Sequence, residues 1–357
     1  MSHEGLNERE RSILEAVIRT YVDTAEPAGS RTVARRHRLG VSPATVRNTM
    51  SDLEEKGYLY HPHTSAGRVP TDRAYRYYVD ALMHPVVLTP AEEQRIIREL
   101  SEADDGAAIE RLLRRSAQAL GLLTGELGIA LAPRLDEAVL EKLELVHVSS
   151  EKMLLVLTLQ GGRVRTVYVD LPGSVPGQTL AAVAVVLNER LAGRTLREIR
   201  LTLPERLRDS APAGHEAASD LLNIFLQSAD DLFEGQAPRA EDVVLGRTSV
   251  LASQPEFASG SQLRSLIELT ERRDLLVTAI TGDEADVPLR ITIGAEHRLP
   301  ELSGFTVVTS QYSGNGISGV IGVIGPTRMP YEKIVSIVEH TSALLSALAA
   351  PGGGAGE

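Results

Sequence analysis

The densest cluster of chemically capable side chains is HPHTSAGRVP, residues 61–70, which sets His61, His63, Thr64, Ser65 and Arg68 around one glycine with almost nothing to build a core. Three chemistries suit such a loop: metal ligation, catalysis, or contact with a polyanion. A metal site needs three or four ligands, but the histidines stand two apart, the chain has no cysteine, and the next acid is Asp72. No partner set for catalysis converges on the loop. Thr64, Ser65 and Arg68, with His63 beside them and open backbone around Gly67, are suited to donating hydrogen bonds to phosphates or reaching a minor groove. An ordinary solvated hairpin is the competing reading.

Charge gives the polyanion reading its context. The formal net charge is −11, yet residues 1–80 hold twelve Lys or Arg against eleven Asp or Glu, whereas residues 81–357 hold 25 against 37. Within the first part, residues 28–50 (AGSRTVARRHRLGVSPATVRNTM) carry Arg31, Arg35, Arg36, Arg38 and Arg47 and no acid. A basic face on an acidic protein is what selective backbone binding at one surface requires.

The elements that must position these residues are legible. From Asn7, the spacing Ile13, Leu14, Val17, Ile18, Tyr21, Val22 is helical, with Asn7 and Glu10 as a capping pair. A short second helix covers roughly 31–37 and ends in the turn Leu39-Gly40-Val41. Ser42-Pro43 is the strongest helix start in the chain, a hydroxyl cap followed by a proline whose missing N–H costs nothing there. That helix runs to about Lys56 and stops at Gly57. Val46, Met50 and Leu53 form its buried stripe, which turns Ala44, Thr45, Arg47, Asn48 and Ser51 outward, as a helix lying in the DNA major groove requires. Two short strands around the 61–70 loop make a wing, and residues 72–83 form a helix that docks back on the first. Helix, short helix, turn, capped helix and wing read as a winged helix-turn-helix. A polar helix face that meets only water is the alternative.

At 357 residues the chain spans two or three domains. The absence of cysteine excludes disulfides, thiolate zinc sites and cysteine nucleophiles, and suits a cytoplasmic protein. Apolar runs such as LAAVAVVL (180–187) are far too short to span a membrane. Residues 90–125 read as two helices joined by SEADDG. The runs LELVHVS, MLLVLTL and VRTVYVD within 143–170 read as an antiparallel meander, followed by a helix over 178–192. Further helices are expected at 214–233 and 261–273, strands at 275–280, 288–294, 305–312 and 316–325, and a final helix over 330–349. A sheet begun before 200 and completed after 275 implies an insertion between. The fold class is α+β, with a DNA-binding domain over 1–84, a two-part domain over 85–199 and 276–349, an insertion over 200–275, and a disordered tail over 350–357.

Two later motifs invite chemistry. SGVIGVIGPTRM (318–329) spaces glycines three apart but lacks the Lys-Ser/Thr of a phosphate-binding loop, and its apolar character fits a packed strand leading to a helix. Arg328 is expected to neutralise Glu296 or another buried carboxylate. No base or nucleophile converges with the many carboxylates, so the chain is not expected to be an enzyme, and no cofactor or metal is expected.

The stretch VSPATVRNTMSDLEEKGYLYHPHTSAGRVPTDRAYRYYVD (41–80) closely resembles the DNA-binding domain of the heat-inducible transcription repressor HrcA family. IGAEH (293–297) and GVIGVIGPTRMPY (319–331) resemble that family's C-terminal signature. Two positions depart from the pattern: Ala74 stands where glycine is expected and His297 where asparagine is. The resemblance implies a winged helix, a central GAF-like domain and an inserted dimerising segment. It also implies a homodimeric repressor of chaperone operons that binds double-stranded DNA at an inverted repeat, is promoted by the GroE chaperonin and is lost from DNA under heat stress. In that setting Ser42, Thr45, Arg47 and Asn48 are expected to read bases while Arg31, Arg35, Arg36 and Arg68 hold phosphates. A small-molecule sensor built on the GAF-like domain, with a cavity among residues 143–170 and 288–325, is the alternative.

Overall fold

A computed structural model of the protein describes residues 5–63, 66–101, 109–160, 163–208, 216–233, 239–281, 287–314 and 317–349. The chain is a mixture of helices and antiparallel sheet and divides into two compact units. One comprises residues 1–131, 240–311 and 320–344; the other comprises 132–239, 312–319 and 345–357.

The first unit opens with a helical head. Helix α1 (Glu8–Thr24) starts at a reciprocal cap in which Asn7 and Glu10 exchange backbone-to-side-chain hydrogen bonds of 3.0 Å, and it buries Ile13, Leu14, Val17 and Ile18. Helix α2 (Ser30–His37) buries Val33 and ends at Arg38, whose left-handed φ of 48° begins the turn through Gly40. Helix α3 (Pro43–Glu55) follows its Ser42 cap, buries Val46, Thr49, Met50 and Leu53, and gives way at Gly57, φ 76°. Strands β1 (Leu59–Tyr60) and β2 (Val69–Pro70) pair antiparallel. Helix α4 (Asp72–Tyr77) is capped by Thr71 and buries Tyr75 and Tyr77. The helix expected over 72–83 is therefore present, but its last turn, Tyr78–Leu82, widens so that the Met83 amide bonds Tyr78 carbonyl across five residues.

Helices α5 (Pro90–Ser101) and α6 (Ile109–Thr124) lead into β3 (Leu127–Arg134). The second unit then holds β4 (Leu140–Ser149), β5 (Lys152–Leu159) and β6 (Arg163–Asp170), a three-stranded antiparallel sheet. Beside it are α7 (Gly177–Leu191), α8 (Leu196–Arg206), α9 (Glu216–Gln227) and α10 (Ala229–Phe233). Leu143, Met153, Leu155 and Leu157 from the sheet and Val183, Leu187, Ile199 and Phe225 from the helices make its core. The first unit resumes with β7 (Val243–Leu245), α11 (Ser249–Ala252), α12 (Gly260–Glu271), α13 (Arg273–Thr281), β8 (Leu289–Ile293), β9 (Phe305–Gly314), β10 (Ile317–Pro326) and α14 (Tyr331–Ala349). Its sheet runs β7-β3-β10-β9-β8.

The fold departs from the sequence expectations in three places. The 143–170 meander forms its own sheet rather than the start of the one completed after 275. The strand that begins the larger sheet is β3, which Gly128 and two alanines disguise. Gly128 is there because β3 lies against α6: a Cβ would come 1.8 Å from the Ala117 carbonyl oxygen. The meander belongs to the compact unit made of residues 132–239, 312–319 and 345–357. Residues 275–280, apolar and partly β-branched, form helix α13, because Leu275, Leu276, Ala279 and Ile280 share one helical face in the core. Helix α8 has no counterpart among the expected elements; Pro204 argues against a helix but falls in its last turn, while Leu196, Ile199 and Leu203 fill the core. The 350–357 tail and most of the SEADDG connection lie outside the described residues.

The glycines of 318–329 belong to β10 and answer to packing. A Cβ at Gly322 would meet the Val308 carbonyl oxygen at 2.0 Å, and one at Gly325 the Glu126 carboxylate at 2.0 Å. Glu126 is 2% exposed and accepts a 3.0 Å hydrogen bond from Gln254 Nε2. Burial pushes its pKa up to about 8; the Gln254 bond and Arg328 oppose the rise, and Glu256 adds to it. Between about pH 4.5 and 8 the folded chain keeps a proton that the unfolded chain has released, so stability falls as pH rises through that window. Glu126→Gln should remove this slope, leaving Tm equal to the parent near pH 4.5 and higher at pH 7 by the equivalent of at most about 3 kcal/mol. Thermal melts of both proteins across that pH range measure it.

Candidate nucleic-acid interface

The Ser42 hydroxyl accepts the Thr45 amide at 3.1 Å and lies 3.0 Å from the Thr45 hydroxyl, so both side chains are held at the first turn of α3. Arg47 and Asn48 follow on the exposed face, and Ser51 is half-buried. Arg31 and Arg35 project into solvent from α2. Arg31, Arg35 and Arg47 enter no ion pair among the described residues, whereas Arg36 pairs with Asp23 at 2.7 Å, both half-exposed. His63 is exposed; Thr64 and Ser65 lie outside the described residues.

Arg68 is placed differently from the others. Its side chain is 12% exposed, its Nη2 sits 2.7 Å from Glu54 Oε2 on α3 and donates to Ser51 Oγ at 3.4 Å. Glu54 also takes His61 Nδ1 at 2.9 Å. The expectation that Arg68 holds a phosphate therefore meets a geometry in which its charge is already engaged. The side chain ties the ribbon to α3. The backbone does the same on the other side: Ala28 and Arg68 exchange hydrogen bonds of 2.8 and 3.0 Å, and a Cβ on Gly67 would come 2.5 Å from the Pro27 carbonyl oxygen.

The head rests on the remainder of its unit through the two C-terminal motifs. Arg76 donates to both Glu296 oxygens at 2.6 and 2.5 Å and to the Ile291 carbonyl at 2.6 Å. Asp72 accepts the Ala295 amide at 2.9 Å, directly over Gly294, whose φ is 50° and whose Cβ would meet that carboxylate at 2.1 Å. Arg328 pairs with Glu256 rather than Glu296, and its Nη1 donates to the Val22 carbonyl at 2.6 Å near the end of α1. Glu332 accepts from Tyr78 at 2.5 Å and from Arg19 at 3.1 Å. Burial, followed by the Glu332 bond, pushes the Tyr78 hydroxyl above the usual phenol range, so it stays a donor. Sequence reasoning missed this seat; the one signal was a pair of charged residues, Glu296 and Arg328, in motifs with no catalytic partner.

The head thus gathers exposed arginines on α2 and α3, with no acid in the sequence over residues 28–50, as a surface for a polyanion requires. The HrcA protein C-terminal domain model matches residues 110–335. The chain is 37% identical over 347 residues to the heat-inducible transcription repressor HrcA of Chlorobium chlorochromatii, covering 97% of this chain and 98% of that protein. It is 38% identical to the protein of the same name from Geobacter sulfurreducens, covering 96% and 98%. A crystal structure described as that of a hypothetical protein shares the fold, with a TM-score of 0.54 and 23% identity over 96% of this chain and 98% of that one. The chain belongs to the HrcA family.

Gly67→Ala should push the ribbon off the α1–α2 connection, because the new methyl meets backbone rather than a movable side chain. The expected loss is roughly 1–3 kcal/mol, read as a lower Tm. Amide exchange should quicken at residues 59–60 and 68–69 before α1.

Proposed function

We propose that this protein is a sequence-specific DNA-binding repressor of chaperone operons whose head is a winged helix-turn-helix. The observation that carries this reading is that Arg31, Arg35 and Arg47 remain without an ion pair among the described residues, beside the exposed Asn48 and a ribbon fastened from two sides. On this reading α3 enters the major groove, with Arg47 and Asn48 reading base edges and Ser42 and Thr45 setting the helix's first turn against them. Arg31, Arg35 and Arg36 hold phosphates. Arg68 holds the wing in place, and the exposed His63 belongs to the same loop.

Two copies acting on an inverted repeat require a two-fold interface. The second unit is the proposed dimerising element. The outer face of its three-stranded sheet leaves Val146, Val148, Val164 and Tyr168 between 46% and 69% exposed, an apolar surface that suits a second copy. Repression is promoted by the GroE chaperonin and lost when heat-damaged proteins occupy it, as the family relation implies. As a repressor acting on the chromosome, the protein works in the cytoplasm.

A second reading, the small-molecule sensor, draws on an open cleft of about 440 Å³ lined by Thr278, Arg290, Thr292, Glu296 and His297. None of its lining residues comes from 143–170, so the cavity expected to combine both regions is not the one this reading uses. A ligand that raises Tm and alters DNA affinity favours the sensor; a rise in operator affinity on adding chaperonin favours the repressor.

A footprint on DNA upstream of the organism's own chaperonin genes should protect both arms of one inverted repeat. Protection of neither arm rejects the reading. If six to ten phosphates are neutralised, affinity should fall roughly 10³- to 10⁵-fold between 50 and 200 mM salt. Arg35→Ala should weaken operator and random DNA alike and, with one phosphate lost per protomer of the dimer, lower the slope of log affinity against log salt by about 2, Arg47→Ala should weaken the operator more than random DNA, and Arg68→Gln should leave the slope unchanged. Tyr168→Asp with Val146→Asp should yield a monomer by light scattering that protects one arm weakly.

A further inference from the structure

Among the described residues, the hydrogen bonds and ion pairs between the head and the C-terminal motifs come from elements other than α2, α3 and the ribbon. They draw on α1, α4 and the widened turn after it. Arg76 is the best defined of them. Its planar fork meets both oxygens of Glu296 and a main-chain carbonyl of β8, which sets an angle as well as a distance. Glu296 is itself held by the Ile293 amide at 2.8 Å, so the acceptor is oriented before the arginine arrives. Asp72 on the Ala295 amide, Arg328 on Val22 and Glu332 on Tyr78 and Arg19 supply separate points of attachment. Attachments at several separate points on two helices fix rotation as well as separation.

The Arg76 and Glu296 side chains are 28% and 34% exposed. Ion pairs that open to water add little to stability. What the pair does supply is direction, because a bidentate fork has one productive orientation. We propose that Arg76 and Glu296, with Asp72 and the Ala295 amide, are positioning residues that aim the DNA-reading head and thereby set the half-site spacing the repressor accepts. This rests on the operator reading above, and it accounts for each residue of the IGAEH motif that meets the head. Gly294 leaves room for Asp72, Ala295 offers its amide, and Glu296 receives the fork.

The test uses the full chain, a single half-site duplex, and inverted repeats whose spacers change by one base pair, each step turning the second arm by about 35°. The parent should bind one spacer best, losing roughly tenfold in affinity one base pair either side. Glu296→Gln removes the charge and Arg76→Lys keeps the charge but removes the fork. Both should bind the single half-site within about twofold of the parent, while the penalty for a one-base-pair change shrinks to about two- to threefold. If both variants keep the parent's spacing profile, the positioning role is overturned while the operator reading stands. A parent that binds inverted repeats no better than a single half-site refutes the operator reading itself, and this role with it. Loss of half-site binding in step with inverted-repeat binding assigns the pair to folding of the head and also overturns the proposal.

Discussion

The partly covered arginines each meet a carboxylate, and these oriented pairs fix how elements of the first unit sit on one another. A guanidinium drawn part-way out of water keeps its charge where a carboxylate offers hydrogen-bonding geometry. Arg68 meets Glu54, Arg76 meets Glu296, and Arg328 meets Glu256. Each pairing joins two elements: ribbon to α3, α4 to the motif after β8, and the β10–α14 connection to the segment after α11. Arg31, Arg35 and Arg47 have no such carboxylate among the described residues, so their charge stays with the solvent face. The same residue type thus joins elements where acids face it and leaves open positive charge where they do not.

This division explains how a head of four helices and a short two-stranded ribbon can present a defined surface. Its core includes Ile13, Leu14, Val17, Ile18, Val33, Val46, Met50, Leu53 and four tyrosines, Tyr58, Tyr75, Tyr77 and Tyr78. Such a core holds the helices together but says little about the ribbon, whose strands are two residues each. The ribbon is placed by the backbone pairing of Ala28 with Arg68 and by the Arg68–Glu54 pair. Gly67 is required because the two backbones approach too closely for a side chain. The C-terminal motifs repeat that logic on a larger scale, with Gly294 making room for a carboxylate of the head and Gly325 for the buried Glu126.

Much of the head was legible because its signals are local. Asn7 and Glu10, Ser42 and Pro43, Gly40 and Gly57 each specify a helix end through hydrogen bonds or dihedral angles settled within a few residues. The outward face of α3 followed from a stripe of three apolar residues at helical spacing. The candidate surface was therefore readable as a set of positions, with Arg68 the exception: nothing adjacent in the chain says that Glu54 will take its charge. The helix at 273–281 and the strand at 127–134 were lost for the opposite reason. The β-branched composition of α13 and the glycine and alanines of β3 favour the wrong states locally, and burial against distant elements overrode them.

From the order of residues alone come the helix boundaries of the head, the polar face of α3, the concentration of base-type residues before position 50, and membership of a family. Those rest on interactions spanning a few residues or on composition. Packing in three dimensions settled which strands share a sheet, where the second unit begins, which carboxylate meets which arginine, and hence which arginines stay open. Each of those outcomes depends on groups brought together from far apart in the chain, such as Arg76 and Glu296, and no local pattern encodes the distance between them.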